Sequence, residues 1–313
     1  MVEEEKGIQV SEVRLGASKS EGGTRKRTYT IGGATEMPFI EGQSGHPALI
    51  ALEICDDPSF WPPVVLEYIG DLAQHTSDWA RESETKFGAD LVRLYLTSTK
   101  KRGYDEFETI GPLIEEVLEA TGSPLIVEGS SEPAIDSEVF RRCGEAGEGE
   151  RLLIGTAEAD RYRSVAATAL AYGHCIIAQT PIDINLAKQL NILLRETGVE
   201  RDHIVIDPYT GALGYGYEYS YSVMERIRLA ALKGDTDLAM PMISAAIDSF
   251  NVREVRDAEP FLKEEIAVRW EFYTQLSSLV AGADIVCVRH PRTIAMLREA
   301  LSILRAEKGQ KGV

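Results

Sequence analysis

Short apolar runs recur along the chain, and each one ends in polar residues. Eight of these runs follow one another, from ALIALEI to ADIVCVRHP, and segments with helical spacing lie between them. Strands of near-continuous apolar character that alternate with helices are typical of a parallel sheet covered on its outer face. Because eight such units close a barrel, the pattern predicts an α/β fold, the (β/α)8 TIM barrel.

The individual elements follow from this alternation. Strands are predicted at Ala48–Ile54, Ala89–Leu96, Leu125–Val127, Leu152–Ile154, Cys175–Ala178, Ile204–Ile206, Leu238–Ile243 and Asp284–Val288. Helices are predicted at Val64–Phe87, Asp105–Ala120, Asp136–Cys143, Asp160–Ala171, 181–198, Tyr221–Lys233, Glu264–Val280 and Pro291–Ala306. The seventh strand contains Pro241, which removes a hydrogen-bond donor from its ladder.

The first 45 residues do not follow the repeat. IQVSEVRLG and KRTYTIGG each have the character of a strand, and KSEGGT between them has the composition of a turn. We therefore predict an N-terminal extension with a β-hairpin at 1–45, the barrel at 46–306 and a polar C-terminal tail at 307–313. Two roles fit the hairpin: it closes the amino-terminal bottom of the barrel, or it is an arm for a partner.

Composition narrows the function classes. The 313 residues carry a formal net charge of −17, which argues against nucleic acid as a partner, because phosphate contacts need clustered Lys and Arg. No signal peptide is visible, and no apolar stretch approaches the ~18 residues that span a bilayer. Four scattered cysteines without CxxC spacing favour buried thiols over disulfides, zinc or an iron–sulfur cluster. We expect a cytoplasmic protein with no membrane partner.

The sequence shows no clear catalytic constellation, since it has neither GxSxG nor HExxH and its histidines are scattered. Acidic residues nevertheless follow several strands, where barrel enzymes place catalytic carboxylates. These residues are Glu53, Asp56, Asp57, Glu128, Glu158, Asp183 and Asp207. Asp57, Asp136 and Asp183 are instead predicted to cap helices. His290, just after the last strand, is a candidate for a role at the barrel mouth.

The segment DPYTGALGYGYEYS, after the sixth predicted strand, has an unusual composition. Gly211, Gly214 and Gly216 allow positive φ and close approach of the backbone to a ligand. The tyrosines in and just after this segment could cover a flat ring system; they are Tyr209, Tyr215, Tyr217, Tyr219 and Tyr221. A ligand or partner surface is therefore favoured over a purely structural loop. A phosphate cradle is a weaker alternative, because GxxxxGK[ST] and GxGxxG are absent.

Three motifs together resemble a known family. IGGATEMPF in the extension, ALIALEICDDP at the first strand and DPYTGALGYGYEYS look like the small subunit of the corrinoid iron–sulfur protein. This family is also called the delta subunit of the acetyl-CoA decarbonylase/synthase complex. The resemblance runs from about Val10 to about Arg305, and it implies a (β/α)8 barrel similar to that of methyltetrahydrofolate methyltransferase.

The resemblance also implies a function. In this family the chain pairs with a large subunit that carries an iron–sulfur cluster and the corrinoid (cobalamin). The heterodimer carries a methyl group on cobalt from methyltetrahydrofolate methyltransferase to acetyl-CoA synthase/CO dehydrogenase in the reductive acetyl-CoA (Wood–Ljungdahl) pathway. The present chain lacks the cysteine spacing for the cluster and the DxHxxG pattern that supplies a cobalt ligand. It is therefore expected to be a non-catalytic subunit that shares the corrinoid but binds no metal or cluster itself.

On this interpretation the loops at the carboxyl ends of the strands face the corrinoid. The residues expected to contact it are Thr97, Ser98, Gly129, Ser130, Gln179, Thr180, Asp207, Tyr209, Thr210, Gly211, Ala212 and His290. The competing hypothesis is a free-standing pterin-dependent methyltransferase of the same fold, with Asp and Asn side chains at strand ends hydrogen-bonding the pterin. An aldolase with a Schiff-base lysine fits poorly, because no predicted strand has an interior lysine.

Overall fold

A computed structural model describes residues 8–39, 45–211 and 213–310, of which 305–310 are described by their backbone. Two short strands, β1 (Val13–Leu15) and β2 (Tyr29–Ile31), pair antiparallel near the N-terminus. The strands that follow are β3 (Leu49–Cys55), β4 (Leu91–Tyr95), β5 (Leu125–Glu128), β6 (Leu153–Ala157), β7 (Cys175–Gln179), β8 (Ile204–Asp207), β9 (Ile243–Ala245) and β10 (Ile285–Val288).

The strands β3–β10 form one eight-stranded parallel sheet in the order β8-β7-β6-β5-β4-β3-β10-β9. A bridge between Ile206 of β8 and Met242, the residue before β9, joins the two ends of this order and closes the barrel. The predicted TIM barrel and the N-terminal hairpin are thus confirmed. The prediction of a seventh strand at Leu238–Ile243 is wrong, because β9 begins only after Pro241, which cannot donate to a ladder.

Ten α-helices occur in the part of the chain that the structure describes. They are α1 (Pro63–Ile69), α2 (Thr76–Thr85), α3 (Ile110–Ala120), α4 (Pro133–Ala146), α5 (Tyr162–Tyr172), α6 (Ile184–Glu196), α7 (Tyr217–Leu232), α8 (Arg253–Arg256), α9 (Pro260–Ala281) and α10 (Pro291–Gln310). A 3-10 segment, Gly70–Gln74, separates α1 from α2, where one continuous helix was predicted. Both α7 and α9 begin about one turn earlier than predicted.

Two of the three predicted helix caps are confirmed. The Asp183 carboxylate accepts hydrogen bonds from the backbone N–H groups of Asn185 (2.7 Å) and Leu186 (3.1 Å) at the start of α6. Asp57 accepts from the N–H of Ser59 at 2.8 Å, at the start of a short 3-10 helix. Each carboxylate satisfies N–H groups that have no partner within the helix.

The lower half of the barrel axis is apolar, and the hairpin completes it. One cluster of buried side chains contains Val13, Leu15, Ile31, Leu49, Ala51, Leu91, Ile126, Leu153, Cys175, Ile177, Val205, Ile243, Ile285 and Cys287. Val13, Leu15 and Ile31 come from β1 and β2, so the hairpin closes the amino-terminal bottom of the barrel. This is the first of the two roles that the sequence left open.

The hairpin is also fixed by a buried ion pair. Arg25, which is 4% exposed, donates a hydrogen bond from Nε to Glu150 at 2.7 Å and another to the backbone carbonyl of Leu118 at 2.6 Å.

The four cysteines are buried and free, as predicted. Within the described ranges, no helix combines the length and the apolar character needed to cross a membrane.

Candidate functional site

Charged residues replace apolar ones in the upper, carboxyl-terminal half of the barrel axis. Arg93 on β4 donates hydrogen bonds to Glu53 on β3 and to Glu128 on β5. Arg289, just after β10, donates from Nε to Glu53 at 2.6 Å. All four residues are buried. Together they form a paired, neutral layer beneath the barrel mouth, which we call the floor.

The floor keeps the Glu53 carboxylate ionised. Burial alone would raise the pKa of Glu53, but the guanidinium groups of Arg289 and Arg93 outweigh burial and hold this pKa below its ordinary value. The Arg289 guanidinium also lies 4.3 Å from the ring centre of Trp61, a cation–π distance. Glu53 and Glu128 are therefore already committed to ion pairs, and neither is free to act as a general base.

The ends of β7 and β8 bring three predicted site residues together. Gln179 donates from Nε2 to the buried carboxylate of Asp207 at 2.8 Å, and the N–H of Thr180 donates to the Asp207 carbonyl at 3.0 Å. Burial raises the pKa of Asp207, although the hydrogen bond from Gln179 opposes the rise. The Thr180 hydroxyl is buried and finds no hydrogen-bond partner among the described residues.

Thr97 and Ser98 join the loops that follow β3 and β4. The Thr97 hydroxyl donates to the backbone carbonyl of Asp57 at 2.7 Å. The Ser98 N–H donates to the Asp56 carboxylate at 3.0 Å, and the Ser98 hydroxyl donates to the same carboxylate. Both predicted residues lie at the mouth, where they hold neighbouring loops in place.

Gly129 and Ser130 lie at the end of β5, against Asp136. The Asp136 carboxylate accepts from the Ser130 N–H (2.7 Å), the Ser130 hydroxyl (2.8 Å) and the Ser131 N–H (2.9 Å). The prediction that Asp136 caps its helix is wrong, because α4 begins at Pro133 and Asp136 lies inside it. Its carboxylate instead reaches back and fixes the loop after β5.

The loop after β8 is held by hydrogen bonds within the protein. The Thr210 hydroxyl lies 2.7 Å from the Ser244 hydroxyl, and the N–H of Gly211 donates to the Ser220 hydroxyl, which donates back to the Gly211 carbonyl. The N–H and C=O groups of Gly211 thus both have partners in the protein, and its contact with a ligand stays a prediction. Ala212 lies outside the described residues.

His290 is separated from the other predicted site residues. Its ring is fully buried, and its centre lies 4.5 Å from that of the Tyr68 ring on α1, with the two planes tilted by 53°. Its backbone N–H donates to Glu271 on α9 at 3.2 Å, while its Nε2 atom finds no hydrogen-bond partner in the described ranges. The preceding Arg289 turns toward the floor, and His290 turns toward the helix layer.

Three loops at the carboxyl-terminal face contain non-glycine residues with left-handed backbone conformations. Ser131 after β5 has φ 75°, Ile182 after β7 has φ 46° and Tyr209 after β8 has φ 63°. Such conformations are unfavourable for residues with a Cβ, above all for β-branched Ile. They cluster at binding and catalytic sites, where the surroundings hold them in place.

The sequence reasoning missed both arginines of the floor. Arg93 interrupts the apolar run LVRLYL, and Arg289 directly follows IVCV. A charged residue within a buried strand must find a partner inside the barrel, and this signal could have identified both. Among the described residues, no group of three or more His, Cys, Asp or Glu side chains could hold a metal ion.

Comparison with solved structures indicates the fold. Dihydropteroate synthase from Thermus thermophilus superposes with a TM-score of 0.58 at 17% identity, over 94% of this chain and 99% of that one. Dihydropteroate synthase from Xanthomonas albilineans, in complex with 7,8-dihydropteroate, gives a TM-score of 0.56 at 15% identity, over 85% and 95% of the two chains. At such identities the likeness shows the barrel fold alone.

Comparison of sequences identifies the family. The acetyl-CoA decarbonylase/synthase complex subunit delta of Archaeoglobus fulgidus is 37% identical over 310 residues, which cover 95% of this chain and 68% of the relative. The subunit of the same name from Methanopyrus kandleri is 35% identical over 300 residues, covering 94% and 75%. Residues 12–294 match the family described as CO dehydrogenase/acetyl-CoA synthase delta subunit. In agreement with the predicted resemblance, the chain belongs to this family.

Proposed function

We propose that this chain is the barrel subunit of a heterodimeric methyl carrier, in which the mouth of the barrel covers a corrinoid held by a large subunit. The heterodimer takes its methyl group from methyltetrahydrofolate, through the methyltransferase, and delivers it to acetyl-CoA synthase/CO dehydrogenase. Family membership supports a place in the acetyl-CoA decarbonylase/synthase complex. For the role of this chain within it, the observation that carries the proposal is the paired floor.

The floor suits a covering role better than a catalytic one. Its two carboxylates each meet a guanidinium group, so it offers no free acid, base or nucleophile. A closed, water-excluding wall that supplies no competing reactant protects a reactive centre from side reactions. When held by the large subunit, the corrinoid supplies the cobalt that carries the methyl group.

The rim of the mouth has side chains that fit the edge of such a ring. The periphery of a corrin carries amide groups, which need hydrogen-bond donors and acceptors. Thr180 has a buried hydroxyl with no partner in the described structure, and Gln179 lies beside it with an amide of its own. We therefore propose that the loops after β4, β5, β7 and β8 contact the corrinoid, as the sequence-based site predicts.

A second candidate function is a free-standing pterin-dependent methyltransferase. The observation that favours it is the pair formed by Gln179 and Asp207 at the ends of adjacent strands. This pair offers donors and acceptors side by side, which matches the mixed donor and acceptor edge of a pterin. The ion pairs of the floor favour the covering role over this alternative.

Expression of the chain alone and together with the large subunit tests the two candidates. The covering role predicts that the pair co-purifies at equal stoichiometry with cobalt and corrinoid absorbance, through an interface of roughly 2,000 Å² or more. It also predicts that the isolated chain gives no heat signal on titration with methyltetrahydrofolate. Binding of methyltetrahydrofolate by the isolated chain, followed by methyl transfer, would replace the covering role with the second candidate.

A further inference from the structure

Tyr209 is held in a strained conformation at the rim of the mouth. Its φ of 63° lies in the left-handed region, which residues with a Cβ adopt only when their surroundings require it. The constraint comes from its N–H group, which donates to the carboxylate of Asp207 at 2.9 Å. Asp207 is in turn fixed by Gln179 at 2.8 Å. A buried hydrogen-bonded chain therefore sets the direction of the Tyr209 side chain.

Gly211 provides the surface on which the Tyr209 ring rests. A Cβ atom placed on Gly211 would lie 2.5 Å from Cε1 and 2.9 Å from Cδ1 of the ring, closer than any real contact. Glycine is needed at this position because the ring lies against its Cα. The edge of the ring at Cδ1 and Cε1 is thus packed against the chain, while Tyr209 as a whole remains 36% exposed.

Tyr209 lies at the rim of the mouth. It comes two residues after the end of β8, and the hydroxyl of the next residue, Thr210, lies 2.7 Å from that of Ser244 on β9. The loop is therefore held across the carboxyl ends of these two strands. The ring itself is partly enclosed, and this burial raises the pKa of the Tyr209 phenol.

Two other aromatic rings at the mouth differ from Tyr209 because cations cover them. Lys100 lies 4.3 Å from the ring centre of Tyr95, and Arg289 lies 4.3 Å from that of Trp61. Both rings are buried, at 5% and 4% exposure. Tyr209 combines a fixed orientation with an exposed surface, which is the arrangement that a flat ligand needs from an aromatic contact.

We propose that Tyr209 is the ring-seating residue of the mouth, whose side chain packs against a flat conjugated ring system. This inference rests on the proposed function, in which the ring system is the corrin carried by the large subunit. A pterin offers the same chemistry from another source. The left-handed backbone of Tyr209 and the glycine at position 211 then act together, because both hold the Tyr209 ring in its binding orientation before the ligand arrives.

Tyr209→Gly separates this role from a structural one. Glycine removes the ring and also relieves the left-handed strain, so the lost packing and the relieved strain oppose each other and the variant should remain folded. In the reconstituted heterodimer, the fraction of corrinoid retained after exhaustive dialysis should correspond to a dissociation constant about fivefold weaker. Tyr209→Phe keeps the ring and should retain corrinoid normally.

Arg151→Gly is the matched control. Arg151 has φ 49° and lies two residues before β6, at the amino-terminal end of the barrel, so the substitution relieves a comparable strain far from the mouth while the Tyr209 ring stays in place. It should leave corrinoid retention unchanged. Equal retention by the natural heterodimer and by Tyr209→Gly would overturn the proposal, as would an equal loss in Arg151→Gly.

Gly211→Ala tests whether the position of the Tyr209 ring depends on the glycine that it contacts. An alanine Cβ must displace the Tyr209 ring, so corrinoid retention should fall in the natural background. In a Tyr209→Gly background no ring remains to be displaced, and the same substitution should have no further effect. If the losses of corrinoid retention were additive in the double variant, Tyr209 and Gly211 would not act together.

The same measurements also decide whether the ligand that Tyr209 contacts is a corrin or a pterin. A natural heterodimer that carries no corrinoid would show that the proposed function has failed. Methyltetrahydrofolate binding by the isolated natural chain that is lost in Tyr209→Gly would then keep Tyr209 as the seat, with a pterin as its ligand. If the natural heterodimer carried no corrinoid and the isolated chain did not bind methyltetrahydrofolate either, the proposed role of Tyr209 would fail together with the proposed function.

Discussion

The Glu53 carboxylate and the Arg289 guanidinium are joined by a 2.6 Å hydrogen bond beneath the mouth, although the two residues are 236 positions apart in the sequence. The bond connects β3, the first strand of the barrel, with the residue that follows β10, the last. It closes the upper half of the barrel axis with charge, whereas the hairpin closes the lower half with apolar side chains.

Substitution of Glu53 by Gln should strongly destabilise the fold. It leaves the guanidinium groups of Arg93 and Arg289 buried with the single carboxylate of Glu128, and an uncompensated buried charge costs about 3–5 kcal/mol. Urea unfolding measures the loss directly. The matched control is Arg253→Gln, which removes an ion pair with Asp257 whose side chains are 82% and 65% exposed.

The control should change the free energy of unfolding by less than about 0.5 kcal/mol, because exposed pairs contribute little. If the two variants unfolded at the same urea concentration, the floor would be dispensable for stability.

His290 should make stability depend on pH in a defined range. Burial lowers its pKa to about 4, whereas an unfolded chain has the ordinary value of about 6.5. The contribution of His290 to stability is therefore complete above pH 6.5 and is lost as the pH falls toward 4, since the unfolded chain takes up a proton that the folded chain does not.

His290→Phe keeps an aromatic ring against Tyr68 but cannot be protonated. Between pH 6.5 and 4 the natural protein should lose up to about 1.4 kcal/mol per pH unit more than this variant. Chemical unfolding at a series of pH values provides the comparison. Parallel pH profiles for the two proteins would show that His290 is not held neutral.

Leu15→Ala should show that the hairpin is part of the barrel core. Leu15 is 1% exposed and packs at the bottom of the barrel axis, and truncation of a buried leucine costs about 2–5 kcal/mol. A single cooperative transition at lower urea concentration is the expected result. If an early separate transition appeared and the main one were unchanged, the hairpin would be an independent arm.

Gly129→Ala should destabilise the loop after β5. An added Cβ would lie 2.4 Å from the Asp136 carboxylate, which holds that loop, and overpacking of this kind costs about 1–3 kcal/mol. Thermal unfolding measures the loss, and an unchanged melting temperature would show that the Asp136 carboxylate can move without loosening the loop.

The barrel could be predicted from the sequence because its strands carry their signal locally. The runs at β7 and β10 were placed to within one residue at each end, since buried parallel strands are apolar on both faces. The same signal misplaced β9: Leu238, Ala239 and Met240 are buried and apolar but precede the proline, and periodicity alone does not show which buried residues form a ladder.

The candidate site could be predicted only in part. Gln179, Thr180 and Asp207 meet as expected, because the carboxyl ends of parallel strands share one edge of the sheet. The pairing of Glu53 with Arg289 depends on contacts between distant parts of the chain, which no local pattern encodes. The need for a glycine at position 211 is hidden in the sequence for the same reason, since the atoms that an added Cβ would meet belong to the Tyr209 ring.

The closure of the barrel between β8 and β9 gives it a preferred line of opening. In the described part of the chain these strands meet at the Ile206–Met242 bridge, whereas β3 and β4 are in register from Ala51 to Cys55. Amide hydrogens along this seam should exchange with solvent before those of the opposite wall. Because Tyr209 follows β8, the side of the mouth that opens most readily is also the side on which Tyr209 is proposed to contact the ligand.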